Sequence, residues 1–252
     1  SLGEALNRGD PLYWIGVEGR QGLGLSYPWV NVATSAIFFA GVHVLARRQR
    51  DPLGFLVLLF PILIINMPMS GIRQGAAIGL MCIAFCAFID RRMIAFVIWT
   101  VIAAGFHTSA LIFLLLVPLV TGEYTRRRLV LAALLAIPGG LALMMGSGGE
   151  QATTRYIGTG IDAQGAVFRV SVLTLSALAF FLLLRKPWKQ AFPEDYKLVS
   201  IAGLIMLARI VLLPVSTVIA DRLAYYMVPL QALIFARIPY LPIRKVRSLY
   251  AI

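Results

Sequence analysis

Two short segments carry most of the side chains able to do chemistry. Ser70-Gly71-Ile72-Arg73-Gln74-Gly75 sets an arginine at the start of an apolar run, and Gly105-Phe106-His107-Thr108-Ser109-Ala110 sets a histidine in the middle of another. Ionisable groups in surroundings otherwise fit for lipid are functional hypotheses by default. An arginine beside a helix start offers a guanidinium fork and backbone amides to one oxyanion, a combination suited to phosphate. A histidine, with an unperturbed pKa of about 6.5, can take a proton near neutral pH. Anion binding and proton transfer are therefore the two chemistries this chain advertises.

Further residues extend the pattern. Arg169 and Arg222 also fall in or beside the first turn of a predicted helix. A cation there opposes the helix macrodipole, so the placement makes sense when both share an anion. Ser70 is the expected N-cap of the Arg73 helix and Asp221 that of the Arg222 helix. The competing readings are structural: Arg73 snorkelling or paired with Asp221, and Arg169 and Arg222 paired with Asp162 and Asp221. His43 reads as interfacial, Arg155 as solvated beside Tyr156, and Arg209 lies mid-span with no partner named by the sequence. Asp10, Glu18, Glu150 and Asp162 are weak general-base candidates, since no pair has diagnostic spacing.

The elements that must position these groups are membrane helices. With 60% hydrophobic and 13% charged residues, the chain is too apolar for a soluble domain. Its net charge of +12 lies in short clusters between apolar runs, the pattern of cytoplasmic loops rather than of a nucleic-acid surface. Cys82 and Cys86 read as small packing residues, and no metal-ligand cluster or disulfide framework is visible. No Walker loop, dinucleotide fingerprint, HExxH site or GxSxG elbow supports ATP hydrolysis or zinc or serine proteolysis. Ser1 opens in a polar stretch without a signal peptide, which reads as a fragment lacking earlier spans.

Residues 1–28 read as an extracytoplasmic loop with interfacial aromatics, followed by an all-α transmembrane domain over 29–247. Spans are expected at about 29–46, 52–69, 71–89, 128–145, 166–184, 197–215 and 220–238. Gly71, Gly75 and Gly79 form a small-residue stripe for close helix approach, with Arg73 almost opposite it. The stretch 93–120 would be about 42 Å long as one helix, too long for a single crossing of about 30 Å and too short for two. A re-entrant hairpin broken at Gly105–Ser109 resolves this, because irregular backbone is tolerated where protein surrounds it. It also sorts the charges: sixteen basic residues, in clusters at 47–50, 91–92, 126–128, 185–197 and 237–247, fall on one side. The six on the other side, Arg8, Arg20, Arg73, Arg155, Arg169 and Arg222, are all arginine. One long tilted crossing would split them fourteen to eight.

Asp10-Pro11-Leu12-Tyr13, Asn31, Ser70 to Ala77 and Phe106-His107-Thr108-Ser109-Ala110-Leu111 resemble, in order, the EpsG-like branch of the Wzy-type polysaccharide polymerases. Asp221-Arg222-Leu223-Ala224-Tyr225-Tyr226 matches that family's late arginine-and-aromatic segment, so the resemblance covers nearly the whole chain. Family members usually carry more spans and a Gly-x-Asp-type segment ahead of the region matching Asp10. The resemblance implies a GT-C-like glycosyltransferase of the bacterial inner membrane with its site facing the periplasm. It would join undecaprenyl-pyrophosphate-linked oligosaccharide repeat units of exopolysaccharide or O-antigen, without a cofactor, alongside a chain-length regulator and export proteins. On that reading His107 and Arg73 are catalytic. Arg73, Gln74, Ser109, Arg169, Asp221, Arg222 and Tyr225 would bind the pyrophosphate and sugar. The related ligase reaction, and a lipid-phosphate flippase or transporter, are the competing functions.

Overall fold

The computed structural model describes residues 10–121, 125–127, 130, 165–212 and 217–243. The span expected at 128–145 and the loop bearing Glu150, Arg155 and Asp162 lie outside the described residues. Every regular element among the described residues is helical. In chain order these are α1 (Pro11–Gly22), α2 (Pro28–Ala46), α3 (Pro52–Ser70), α4 (Ile72–Ile89) and α5 (Met93–Phe106). After them come α6 (Thr108–Val120), α7 (Ala166–Ala179, continuing to Ala191), α8 (Tyr196–Ala208) and α9 (Thr217–Arg237). Among the described residues four helices are long and apolar enough to cross a membrane: Pro28–Ala46, Pro52–Ser70, Ile72–Ile89 and Val167–Ala191. α8 is shorter, running on into a 3-10 turn at Arg209–Leu212, and α9 carries Asp221, Arg222 and Arg237.

Two of the long helices widen locally where a proline would otherwise collide with the preceding turn. α3 has a π-helical turn at Phe60–Ile64 around Pro61, and α7 has one at Phe180–Leu184 just before Pro187. Proline lacks an amide donor and presses on the carbonyl four residues back, and a π turn relieves both problems without ending the helix.

The chain divides into two compact units, Ser1–Leu45 with Ile64–Gly160 and Ala46–Leu63 with Ile161–Ile252. In the first, the expected glycine stripe is used. A Cβ on Gly79 would stand 2.6 Å from the Phe38 Cα of α2, so only glycine lets the two backbones approach. Gly75 and Gly71 instead make room for Met67, whose Cβ and Sδ would lie 3.1 and 3.0 Å from the added atoms. Cys82 and Cys86 are free and buried along the same helix.

Residues 93–120 turn back on themselves at the expected polar break. α4 and α5 are antiparallel, with the Phe88 and Phe96 rings 5.6 Å apart near the turn between them. At His107 the backbone becomes extended (φ −153°, ψ 110°), and α6 starts at Thr108 as a 3-10 helix. It runs back beside its neighbours: the Phe113 ring meets Phe85 of α4 at 5.8 Å, and Val117–Val120 packs on α5. The apex of the hairpin is His107.

In the second unit α7 and α9 run in the same direction, with α8 and Pro52–Leu59 packed against them. One end gathers three of the basic segments. Arg237 pairs with Asp195, donates to Gln49 Oε1 at 2.9 Å and lies 4.6 Å above the Phe192 ring, while Arg50 lies 5.2 Å from that ring. Arg169 and Asp221 meet at the opposite end of α7 and α9. That segregation within one unit follows the charge sorting expected from the sequence.

One expectation needs correction. Residues 11–22 are helical rather than loop. Three glycines at positions 16, 19 and 22 weaken the helix signal. Pro11 at the first helical position and tertiary contacts of Leu12 and Tyr13 outweigh that cost.

Candidate functional site

The first unit is organised around one carboxylate. Asp10 is 6% exposed and adopts a left-handed conformation, φ 67° and ψ 58°, that costs most residues about 1–3 kcal/mol but that aspartate tolerates comparatively well. It precedes α1 as the N-cap residue, yet its side chain makes no capping bond there. Pro11 has no amide hydrogen to satisfy, so the carboxylate is released for other partners. Oδ1 accepts from the Thr108 amide at 2.7 Å and from the Thr108 hydroxyl at 2.9 Å. Asp10 thus caps α6 instead of its own helix, placing negative charge where amides and dipole favour it.

The second oxygen faces the two candidate catalytic groups. Oδ2 accepts from Arg73 Nη1 at 2.8 Å and lies 3.6 Å from His107 Nδ1, an ion-pair separation too long for a hydrogen bond. Burial alone would raise the Asp10 carboxyl. The attraction of His107 and the two Thr108 donors outweigh it and hold the group below its ordinary 3.8. Such a carboxylate is a poor base, and its place is to fix Arg73, His107 and Thr108 in one geometry.

Arg73 lies 5.5 Å above the Tyr13 ring, and its side chain remains 46% exposed. It is therefore held on one edge and one face and open on the rest. Tyr13 is steadied in turn by a 2.8 Å hydroxyl contact with Tyr27. The His107 side chain is only 12% exposed, and both ring nitrogens are shielded from water with no hydrogen-bond partner among the described residues. An unpartnered buried imidazole is costly. Here it stands at the hairpin apex beside a carboxylate able to stabilise its protonated form.

Sequence reasoning paired Arg73 and His107 as one site, and the structure brings them together through Asp10. Gln74 and Ser109 are half-buried on the same two elements. The expected Ser70 cap is not made: the cap residue of α4 is Gly71, and the Ser70 hydroxyl donates to Asn66 Oδ1 at 2.6 Å. Asp10 was legible only as one of four weak acids. The left-handed Asp-Pro junction that frees it, and Thr108 as its partner, leave no local sequence signal.

The second unit holds a basic cluster of its own around Asp221. Asp221 Oδ1 accepts from Arg169 Nε at 2.6 Å, and the Arg169 guanidinium lies 5.2 Å from the Tyr225 ring. Asp221 sits inside α9, which begins at Thr217, so it anchors Arg169 rather than capping the helix. Arg222 is half-buried and Tyr225 buried. Among the described residues no group of three or more His, Cys, Asp or Glu side chains is placed to hold a metal ion.

Comparison with curated proteins and with solved structures finds no match. A family model, however, matches residues 2–252, and it spans both the Asp10–Arg73–His107 cluster and the Arg169–Asp221 cluster. With that match over almost its whole length, the chain belongs to the EpsG family, the family of Wzy-like and exopolysaccharide polymerases.

Proposed function

We propose that this protein is a glycosyltransferase that polymerises lipid-diphosphate-linked oligosaccharide repeat units, with the Asp10–Arg73–His107 cluster as its reaction centre. The observation that carries the reading is Asp10 Oδ2, which holds a half-open arginine and a buried histidine within one carboxylate's reach. Family membership supplies the class of reaction.

In the proposed step an acceptor sugar hydroxyl attacks the anomeric carbon of the donor. The carbon–oxygen bond to the diphosphate breaks, its electron pair leaves with the diphosphate, and the hydroxyl proton passes to His107. Arg73 neutralises the charge developing on the leaving group. A fixed guanidinium does this without reorganising at the moment of reaction. Asp10 stabilises the imidazolium that forms and keeps Arg73 from swinging away. Because the ring nitrogens are shielded, the acceptor reaches His107 only as substrate displaces the side chains over it. A shielded base at rest is compatible with a geometry that tightens around substrate.

The apolar helices support a membrane setting. A seven-span GT-C-like architecture in the bacterial inner membrane, with 93–120 re-entering and the centre facing the periplasm, is the arrangement that best accommodates the charge clusters. Undecaprenyl pyrophosphate is the corresponding carrier. The lipid-linked pool of a deletion strain tests the function. A polymerase defect leaves single repeat units on the outer face, the expected outcome. Long lipid-linked chains would make the protein a ligase, and units trapped inside would make it a flippase.

A further inference from the structure

Arg209 is unexplained by the mechanism above. It is 1% exposed, and its Nε, Nη1 and Nη2 atoms make no hydrogen bond among the described residues. A buried guanidinium with no acceptor is among the costliest arrangements a protein can hold, and removing a partner from a buried charge generally destabilises strongly. The 3-10 turn that carries it packs on both α7 and α9, the helices bearing Arg169 and Asp221. Asp221 interacts with it electrostatically, but one oxygen of that carboxylate is already engaged by Arg169 at 2.6 Å. Asp221 is thus ion-paired with the half-buried Arg169, while the buried Arg209 feels its charge without a hydrogen bond to it.

We infer that Arg209 and Arg169 of the second unit form an oxyanion site that takes a phosphate-type group beside Asp221. Asp221 occupies the role of resident anion, and an incoming phosphate supplies the second negative charge that the pair lacks. The guanidinium geometry suits a tetrahedral oxyanion with several acceptor lone pairs. Tyr225, over which Arg169 lies, closes one face of that arginine. The identification of a diphosphate as the natural ligand rests on the polymerase reading. The oxyanion chemistry itself stands on Arg209 alone. Its source is either the diphosphate of a lipid-linked sugar or the headgroup of a membrane phospholipid.

Charge arithmetic makes the test directional. Removing Arg209 lowers the site's affinity for an anion, whereas neutralising Asp221 raises it, an opposition that a merely structural arginine would not produce. The full chain, purified in neutral detergent, is titrated with inorganic pyrophosphate and followed by ligand-induced thermal shift. Titrations are run in wild-type and Arg73→Met backgrounds. Arg73→Met protein is expected to keep a saturable response. Adding Arg209→Met should weaken apparent affinity at least tenfold, and adding Asp221→Asn should strengthen it several-fold. Should Arg209→Met protein not be recoverable, the Asp221→Asn arm decides alone. A response to phosphatidylglycerol but not to pyrophosphate, lost with Arg209→Met, would identify a phospholipid headgroup as the source. The inference is overturned if Arg73→Met abolishes every response, if Arg209→Met leaves affinity unchanged, or if Asp221→Asn weakens it. If Arg73→Met leaves polymer synthesis intact while the Arg209 effects hold, the Asp10 centre is wrong and this site stands.

Discussion

Asp10 shows how one residue sets the chemistry of its neighbours. Its carboxylate forgoes capping α1, caps α6, and holds Arg73 and His107 within 2.8 and 3.6 Å. Replacing Asp10 with Asn removes the charge while keeping the shape. A loss of about 1.5–3 kcal/mol is expected for charge-assisted hydrogen bonds of this kind, with Arg73's share reduced by its exposure. Because the folded carboxyl lies below its ordinary 3.8, its contribution is fully present above the unfolded value and disappears as pH falls through the folded one. The melting-temperature gap between wild type and Asp10→Asn should therefore be widest near neutrality and close below about pH 4. A gap independent of pH would show that Asp10 is not an ionised hub. Arg73 and His107 were legible in the sequence because a charged or polar side chain stands out in an apolar run. Asp10 was not, since its partners lie 63 and 98 positions away, beyond any local window.

At the scale of elements, the centre depends on how α1 is seated against the hairpin. A Cβ on Gly105 would lie 2.5 Å from the Leu12 Cγ and Cδ1 atoms, so glycine lets α1 settle against the end of α5 and brings Asp10 over Thr108. Gly105→Ala should push Leu12 aside and reduce activity more than it reduces protein abundance. Adding Leu12→Ala should restore much of that activity, and a double-mutant cycle would read the coupling. Additive losses would refute the seating argument. Gly79 is less forgiving, because its neighbour is the Phe38 backbone. Gly79→Val is expected to cost at least about 1–3 kcal/mol and to lower the level of folded protein in the membrane. Helix positions were readable from hydrophobic runs: spans expected at 29–46 and 71–89 correspond to Pro28–Ala46 and Ile72–Ile89. The hairpin at 93–120 followed from a length mismatch and a polar break. α1 escaped because its apolar anchors are few and its glycines disguise it, so tertiary contact outweighs local propensity.

For the whole molecule, the basic clusters are predicted to share one side of the membrane, with 93–120 re-entering rather than crossing. Cys82 and Cys86 are buried, so single reporter cysteines at Arg91 and Arg126 would report cleanly in intact cells. Both should react with an impermeant maleimide only after permeabilisation, whereas Leu23→Cys, 75% exposed, should react without it. Labelling of the Arg91 and Arg126 positions from opposite sides would defeat re-entry. The basic clusters were readable because loop arginines and lysines are counted without knowing any contact, and within the second unit Arg50 and Arg237 lie at one end. Side-chain partnerships such as Arg169 with Asp221 were open to several pairings until the fold chose among them. The central claim is that Arg73 and His107, held by Asp10, perform sugar transfer from a lipid diphosphate. The most direct measurement is polymer formation by purified protein from a lipid-diphosphate-linked repeat unit. Arg73→Met is expected to lower the rate about 10²–10³-fold and His107→Gln about 10²–10⁴-fold, with both variants folded and present at wild-type levels. Wild-type rates from either variant would contradict the claim.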